Sequence, residues 1–404
     1  MYDNEARRII EALRSGVPSR TVGQYFTEAR PMVMQQIGKA MDTVLETGKS
    51  NGSIIRGRYG EGKTHLLNTV FNMAHQNNMV VSMVSLGKEI PMHMMNVLYP
   101  HIVNNTYLPG HDQPGFLELL DRLTPNSPQA NRLQLFATRE LTCDKLYYVL
   151  KTYANTEDAD IKTQLRYDLE GDFISTPTIK RMYKETTKET CRMNVSFSKT
   201  KHTVDYFHFL SEFFLTMGYE GWVILFDEAE RIGFFTKKQR MSTYKNMMEF
   251  LTPPSSMKST YSLFAFTASY IDEVIEKKQE LANTEVLVPE DAEKARAALA
   301  AIGRSSALPS LTVQEIKDVV GRILTFHEKA YDWKSNVSVD ALMQIVDASG
   351  FLLRTKLRAT IEYLDQLYLY GTAAGMAVSD LEDLSLVGEE VPSLGMFDEE
   401  KDEG

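Results

Sequence analysis

A glycine-rich octapeptide carries the strongest chemical signal in this sequence. Residues 57–64 read GRYGEGKT, which fits the pattern G-x-x-x-x-G-K-[ST] at every fixed position. In such a loop the glycines let backbone N–H groups approach phosphate oxygens, and the following helix adds the positive end of its dipole. Lys63 is expected to reach the β- and γ-phosphates, and the Thr64 hydroxyl to hold Mg²⁺. The motif therefore predicts a site for a nucleoside triphosphate.

The residues around this motif have the context that it needs. A short apolar run at 53–55 predicts a strand before the loop, and apolar residues at helical spacing from Leu66 to Ala74 predict a helix after it. A plain glycine turn is therefore the weaker interpretation. We expect His65 to border the nucleotide and to serve helix packing rather than catalysis. The candidate nucleotide-binding residues are Gly57, Arg58, Tyr59, Gly60, Glu61, Gly62, Lys63, Thr64 and His65.

Two carboxylates follow a second apolar run. Residues 222–226 read WVILF and predict a buried strand that ends at Asp227 and Glu228. Asp227 is the candidate Mg²⁺ ligand, directly or through water, and Glu228 is the candidate that orients or deprotonates an attacking water. Because a kinase must protect its phosphoryl group from water, two carboxylates in series favour a hydrolase.

Polar residues also follow a third predicted strand, at 261–266. The chain continues there as Thr267-Ala268-Ser269. Ligands of open α/β sheets lie at the carboxyl ends of the strands, so a polar residue here could position the lytic water or touch the γ-phosphate. Thr267 is our first candidate and Ser269 the second. The alternative is a polar cap on a buried strand.

Composition excludes several classes of protein. The chain has 404 residues, 24% of them charged and 43% hydrophobic, which is typical of globular proteins. Its apolar runs are too short to cross a bilayer, and the start, MYDNEARRII, lacks a secretory pattern. Cys143 and Cys191 cannot form a disulfide framework or a four-thiolate metal site. We therefore expect a cytoplasmic protein with no membrane partner.

The negative charge is concentrated at the end of the chain. Residues 380–404 contain ten acidic side chains against the single Lys401, while the whole chain has a net charge of −10. The rest is therefore nearly neutral, and overall charge does not exclude nucleic-acid binding. Such a segment is most often a solvating disordered end, although it could also mimic nucleic acid and guard a basic surface.

Strands that alternate with helices predict an α/β fold with a parallel sheet sandwiched by helices. Besides the strands named above, residues 79–85 predict a strand and residues 284–288 a weaker one. The long helical stretch from 91 to 205 exceeds what a βαβ unit requires. After residue 291 the pattern is helical, with a capping box at Thr312 and Glu315.

These features together resemble AAA+ ATPases, which combine a P-loop, a hydrophobic-Asp-Glu strand, a strand with a polar end and a helical lid. Five stretches look similar to the ATP-binding proteins of BREX-type phage-defence systems. They are ARRIIEALRSGVPSR at 6–20, IIRGRYGEGKTHLL at 54–67, MGYEGWVILFDEAER at 217–231, LPSLTVQEIKDVVGRIL at 308–324 and LLRTKLRATIEYLD at 352–365. The resemblance covers the N-terminal arm, core and lid, but not most of 91–205 or the acidic end.

The sequence patterns, together with the resemblance for the arm, core and lid, predict a domain plan. It has an N-terminal helical arm at 1–50, a P-loop ATPase core at 51–90 and 206–290, a helical insertion at 91–205, a helical lid at 291–375 and an acidic, disordered tail at 376–404.

The resemblance also implies that Arg354 is a lid arginine that contacts the γ-phosphate, with Arg358 as the next candidate. The family often has proline before this arginine, whereas Leu353 stands here. From spacing alone, the two arginines are cations one turn apart on a helix, and a solvated face is the alternative. Oligomers with an arginine finger acting across subunits are expected in such ATPases. No residue stands out as the finger, and Arg240 is one guess.

Two further segments have open interpretations. Lys180, Lys184, Lys188 and Arg192 recur every four residues, which predicts one broad basic helical face. This face would contact duplex DNA or a neighbour's acidic tail, or it is simply solvated. The methionines at 92, 94 and 95 are better explained by core packing or an ordinary surface than by docking.

The combined expectation is an Mg²⁺-dependent ATPase, with ATP and Mg²⁺ as cofactors, that drives or gates a multi-protein, DNA-associated defence complex. One alternative is an ATP-gated switch or scaffold with low turnover. The other is an initiator- or loader-like ATPase that binds DNA.

Overall fold

A six-stranded sheet forms the centre of the protein. The structure is a computed structural model that describes residues 3–16, 20–26, 29–350 and 352–373. The strands are β1 Asn51–Gly57, β2 Met79–Ser85, β3 Thr106–Tyr107, β4 Gly221–Asp227, β5 Thr260–Thr267 and β6 Ser306–Ala307, and their order across the sheet is β3-β2-β4-β5-β1-β6. All neighbouring pairs are parallel except β2 and β3, which pair antiparallel at one edge.

Helices connect and cover the strands, which confirms the predicted α/β fold. Every residue of β4 and β5 is buried, as expected for strands with helices on both faces. The helices are α1 Asn4–Ser15, α2 Arg20–Tyr25, α3 Pro31–Thr47, α4 Lys63–Gln76, α5 Met95–Asn104, α6 Pro128–Arg139, α7 Lys145–Asn155, α8 Ala159–Tyr167, α9 Thr176–Thr187, α10 Lys199–Thr216, α11 Lys237–Leu251, α12 Glu280–Asn283, α13 Pro289–Arg304, α14 Val313–Tyr331, α15 Val339–Ala348 and α16 Leu353–Tyr370.

One predicted strand is wrong. Residues 284–288 contain a short 3₁₀ turn, Thr284–Val286, and not a strand. The apolar side chains behind that prediction, Val286 and Val288, are 51% and 64% exposed, so their β propensity is not matched by burial. Pro289 then begins α13, and the edge strand next to β1, on the side away from β5, is β6.

The order of the strands brings the chemical residues to one edge of the sheet. Gly57 is in register with Thr267, because β1 pairs with β5. On the other side of β5 lies β4, whose last residue is Asp227. The loop after β1 and the polar ends of β4 and β5 therefore meet at the carboxyl edge.

The segment from 91 to 205 shares a hydrophobic core with the sheet. One cluster of buried side chains joins Tyr99 and Tyr153 from this segment with Trp222 and Phe226 of β4. Met92 and Met95 belong to the same cluster, as the core-packing interpretation expected. The segment also contributes β3 to the sheet, so it is not purely helical.

The N-terminal helix packs with the last three helices of the described chain. Ile9 and Ile10 of α1 share a buried cluster with Ile323 of α14, Leu342 of α15 and Ile361 of α16. We call α14, α15 and α16 the lid helices. The capping box of Thr312 and Glu315 at the start of α14 is present, as predicted.

None of the helices in the described residues is long and apolar enough to span a membrane.

Cys143 and Cys191 are both buried free thiols. The acidic segment at 376–404 lies outside the residues that the structure describes.

Candidate functional site

The glycine-rich loop connects β1 to α4 in a conformation that requires glycine. Gly60 and Gly62 have φ angles of 74° and 88°, in the left-handed region where a β-carbon is unfavourable. Gly62 precedes Lys63, the first residue of α4. The loop therefore turns sharply into a helix N-terminus, where free backbone N–H groups can receive phosphate oxygens.

Lys63 points back into this loop. Its Nζ donates to the carbonyl oxygens of Gly57 and Arg58, at 3.0 and 3.3 Å, and the residue is only 8% exposed. Both acceptors are neutral, so an anionic phosphate oxygen would be a stronger partner for the ammonium group.

Thr64 and Asp227 meet across the gap between α4 and β4. The Thr64 hydroxyl donates to Asp227 Oδ2 at 2.6 Å, and Glu228 N donates to Asp227 Oδ1 at 2.9 Å. Hydroxyl and carboxylate oxygens are the ligands that Mg²⁺ prefers, and phosphate oxygens usually complete its shell. No group of three or more His, Cys, Asp or Glu side chains that could hold a metal occurs within the described ranges. The residues present thus fit a metal that is shared with phosphate.

Glu228 faces the surface. It adopts a left-handed conformation with φ 53°, and its carboxylate forms an ion pair with Arg231 at 3.0 Å. The Glu228 side chain is 41% exposed. The structure therefore places the predicted catalytic carboxylate in a solvated pair.

Glu230, which sequence analysis did not single out, turns towards the end of β5. Its Oε2 accepts a hydrogen bond from Thr267 N at 3.2 Å. Burial raises the pKa of Glu230 to about 6, although the positive charge of Lys63 opposes the rise. The sequence signal that could have found it is an acidic residue two positions after Glu228, since a short turn there returns the chain to the sheet edge.

Thr267 lies beside this carboxylate. It is 6% exposed, and its Oγ1 is buried without a hydrogen-bond partner in the described structure. Ser269, the second candidate, is half-buried, and its carbonyl accepts from Glu273 N. An unpaired buried hydroxyl is costly, so Thr267 is the better candidate to contact a ligand or water.

Arg354 lies at the contact between the lid helices and the loop. Its backbone N–H donates to the carbonyl of Gly60 at 3.3 Å. Its guanidinium contacts the Tyr59 hydroxyl and the Ser15 carbonyl, each at 3.5 Å, and Nε is buried without a partner in the described structure. Arg358, one turn later, is exposed. The structure therefore brings Arg354, and not Arg358, to the loop.

Arg30 also contacts the loop and was missed by sequence analysis. This buried residue donates from Nη2 to the Glu61 carbonyl at 2.7 Å and from Nε to the Pro309 carbonyl at 2.8 Å. Its backbone N–H donates to Glu315 Oε1 at 2.8 Å. Burial lowers the pKa of Arg30, and the nearby carboxylates of Glu61 and Glu315 oppose this. The left-handed conformation of Arg30, with a φ of 58°, could not be predicted from the sequence, because arginine rarely adopts positive φ angles.

The remaining loop residues make structural contacts. His65 Nε2 hydrogen-bonds to the carbonyl of Phe26 at 3.0 Å, and burial lowers its pKa, in keeping with a packing role. The Glu61 carboxylate accepts from Arg58 N at 3.0 Å and thus braces the loop across its turn.

The guess that Arg240 is an arginine finger is wrong for this structure. Its guanidinium is buried and donates twice to Glu280 Oε1, at 3.0 and 2.7 Å. Arg240 and Glu280 are 2% and 0% exposed, so the cation cannot reach a neighbouring subunit without breaking a buried pair.

The single basic helical face is also wrong. Helix α9 ends at Thr187, and Lys188 is a left-handed cap with φ 60°. Only Lys180 and Lys184 lie on this helix, while Arg192 belongs to the irregular segment that follows. All four side chains are nevertheless exposed. The four-residue spacing did not predict the helix correctly, because α9 ends at Thr187 whereas the spacing continues to Arg192.

Comparison with known families covers most of the chain. The sequence model described as BREX system ATP-binding protein BrxC/D matches residues 2–127 and 151–373. The match includes 91–127 and 151–205, so the similarity extends further into the helical segment than the sequence analysis expected. A search of curated proteins found no match. The chain belongs to the family of BREX system ATP-binding proteins BrxC/D.

Proposed function

We propose that this protein is a Mg²⁺-dependent ATPase whose cycle drives or gates a multi-protein, DNA-associated defence complex. The observation that carries the proposal is the 2.6 Å hydrogen bond between Thr64 Oγ1 and Asp227 Oδ2, beside Lys63 in the glycine-rich loop. These three side chains come from two separate elements, and their chemistry suits a phosphate-bound metal.

Each residue has a role in this proposal. The backbone N–H groups at the start of α4 bind the phosphates, and Lys63 exchanges its carbonyl partners for the β- and γ-phosphates. Thr64 and Asp227 would hold Mg²⁺, which would offset phosphate charge when bound. Arg354 is positioned over the loop by Gly60 and would contact the γ-phosphate from the lid helices.

The test is ATP hydrolysis by the purified chain with Mg²⁺ and with EDTA. We expect Lys63→Ala to abolish ATP binding and turnover. Lys39→Ala, which removes an exposed lysine of α3, is the matched control. Equal hydrolysis by wild type and Lys63→Ala would refute the proposal. Solution mass with and without ATP would show whether the expected oligomer forms.

A low-turnover switch is the second candidate. The observation that favours it is the surface ion pair between Glu228 and Arg231, which holds the predicted catalytic carboxylate in solvent. A switch would bind ATP with normal affinity and hydrolyse it very slowly in wild-type protein. Rapid turnover by the wild type would exclude it.

Direct contact with duplex DNA is a separate proposal. It is supported by the exposure of Lys180, Lys184, Lys188 and Arg192. The double variant Lys184→Glu, Lys188→Glu should then lose salt-dependent retention on duplex DNA. The control Lys237→Glu, Lys238→Glu makes the same charge change on an exposed part of α11. Equal loss in both variants would mean that total charge, and not this patch, decides binding.

A further inference from the structure

One long edge of the sheet is only partly covered. Strand β6 pairs with β1 at Ile55 and Arg56 alone, so residues 51–54 of β1 have no strand partner on that side in the described structure. Alternate residues of a strand direct their backbone groups to the same side, and the Arg56 carbonyl accepts from the backbone N–H that follows β6. Gly52 and the N–H of Ile54 therefore face the part of the edge that β6 does not reach.

This free edge forms the floor of a groove. The groove has a volume of about 500 Å³, and its walls are α3 on one face of the sheet and α11 and α13 on the other. Apolar side chains line both walls, namely Val33 and Ile37 of α3, Leu251 of α11, and Ala297 and Ala301 of α13. A strand that lay beside β1 would therefore have apolar surfaces against both of its faces.

An unpaired strand edge between helices selects an extended peptide. The free N–H and C=O groups are a template for one more strand. Successive side chains of the added strand would point to opposite faces, so alternate positions would contact α3 and the intervening positions α11 and α13. The small side chains of Ala297 and Ala301 leave room for larger ones on the second wall. The helical walls also keep a whole sheet away from this edge, so a single segment is the occupant that fits.

Arg304 gives one end of the groove a positive charge. It lies in the last turn of α13 and is exposed. Its guanidinium has no ion-pair or hydrogen-bond partner among the described residues. Of the described side chains that line the groove, Arg304 alone is charged. An acidic residue of the occupant would complement it.

We propose that this groove binds an extended segment of a partner protein. The segment pairs with β1 beyond the end of β6, has apolar side chains at alternate positions and carries an acidic residue next to Arg304. The site uses the first half of β1, whereas the glycine-rich loop follows the last residue of that strand. The inference therefore goes beyond the ATPase proposal and does not depend on it.

The first experiment selects peptides from a displayed library of random nonapeptides on the immobilised protein, after removal of peptides that bind the Ala301→Phe variant. Phenylalanine at position 301 would fill the groove, and Ala282→Phe, on the exposed side of α12, is the matched control. We expect the selected sequences to have apolar residues at alternate positions and Asp or Glu near one end. Apolar residues at helical spacing, or no enrichment over the Ala301→Phe variant, would overturn the proposal.

The second experiment measures the affinity of one selected, fluorescently labelled peptide by anisotropy. N-methylation of single amides should lower the affinity about tenfold at every second position, because a methyl group on those amides would separate the peptide from β1. Ala301→Phe should weaken binding by at least about tenfold, and Arg304→Glu by roughly three- to tenfold. Ala282→Phe and Lys39→Glu, both at exposed positions, should leave it unchanged. Equal losses in these controls, or an N-methyl series without a period of two, would overturn the proposal.

The variants keep the result independent of folding and of ATP hydrolysis. Arg304→Glu changes an exposed side chain, so it tests the groove even if Ala301→Phe lowers the melting temperature. If the peptide binds as described while Lys63→Ala retains ATP hydrolysis, the ATPase proposal fails and this inference stands. If Lys63→Ala is inactive and no peptide depends on the groove, only this inference fails.

Discussion

Gly16 lies against the guanidinium of Arg354. A β-carbon at position 16 would stand 2.4 Å from Arg354 Nε and 2.7 Å from Nη2. Gly16 also has a φ of 65° at the C-terminal end of α1, a conformation that favours glycine. Helix C-termini carry partial negative charge, so the end of α1 is a suitable neighbour for a cation. The N-terminal helix thus sets the position of the arginine that reaches the loop.

Replacing Gly16 with alanine should therefore weaken the binding of ATP more than the binding of ADP. The new methyl group would displace the Arg354 guanidinium, which is held by contacts of 3.5 Å at the outer limit of hydrogen bonding. We expect ATP affinity to fall about tenfold, which corresponds to about 1.4 kcal/mol. ADP affinity should hardly change, because ADP lacks the γ-phosphate. Isothermal titration with both nucleotides measures this difference.

The control for this prediction is Gly48→Ala. Gly48 is also a left-handed helix cap, with φ 67°, but its nearest neighbour to an added β-carbon is Ser259 Oγ at 3.8 Å. The two variants should share a backbone cost of about 1 kcal/mol. If both variants lost the same ATP affinity, Arg354 would not be involved. The same conclusion would follow if Gly16→Ala still lowered ATP affinity in an Arg354→Ala background.

Much of the fold could be predicted because it depends on local patterns. The strands expected at 53–55, 79–85, 222–226 and 261–266 are all present, since each is a short apolar run between turn signals. The helix expected after the glycine-rich loop is also present, as α4. The strand expected at 284–288 is absent. Val286 and Val288 are exposed there, and the exposure of a side chain cannot be read directly from the sequence.

The site was harder to predict than the fold. The loop and Asp227 follow from a contiguous pattern, and the structure brings Thr64 and Asp227 together. Arg30 had no pattern that marked it, and Glu230 had only an acidic side chain close to Glu228, because the position of each depends on a left-handed residue, Arg30 itself or Glu228, that redirects the chain. Tertiary contacts of this kind are not encoded in residue spacing.

Arg240 should stabilise the fold and have no role between subunits. Removing it by Arg240→Met leaves Glu280 buried and unpaired, so the free energy of unfolding should fall by about 3–5 kcal/mol. The double variant Arg240→Met, Glu280→Leu should recover most of the loss, because it removes both charges. Urea denaturation measures both changes. Restoration of ATPase activity on mixing Arg240→Met with Lys63→Ala protein would instead indicate a finger acting in trans.

Arg30 should couple the loop to the start of α14. Arg30→Met would remove the hydrogen bonds to the Glu61 and Pro309 carbonyls while keeping a similar side-chain volume. Methionine would keep the left-handed backbone of this position and its strain. Any change in hydrogen exchange or in stability therefore reports the loss of the guanidinium group. We expect faster hydrogen exchange at 57–62 and 309–316 and a loss of about 2–4 kcal/mol in stability. Unchanged exchange in both segments would mean that the contact is incidental.

Asp365 should make the packing of α1 on the lid helices sensitive to acid. Its carboxylate accepts from Arg14 Nε and Nη2, at 3.0 and 2.7 Å, and lies 3.0 Å from His327 Nε2. Trp333 Nε1 donates to His327 Nδ1 at 3.0 Å, so Nε2 carries the proton that points to Asp365. Burial alone would raise the pKa of Asp365, but the hydrogen bonds from His327 and Arg14 outweigh it and hold the pKa below 3.8.

The sign of the pH effect follows from this lowered pKa. The stabilisation by Asp365 is fully present above its unfolded pKa of 3.8 and is lost as pH falls through the lower folded value. Asp365→Asn should therefore lower the melting temperature at pH about 7 and flatten its dependence between about pH 5 and 2. Asp42→Asn, on the exposed side of α3, is the control. Melting curves that shift in parallel for wild type and Asp365→Asn would show that another carboxylate governs the acid response.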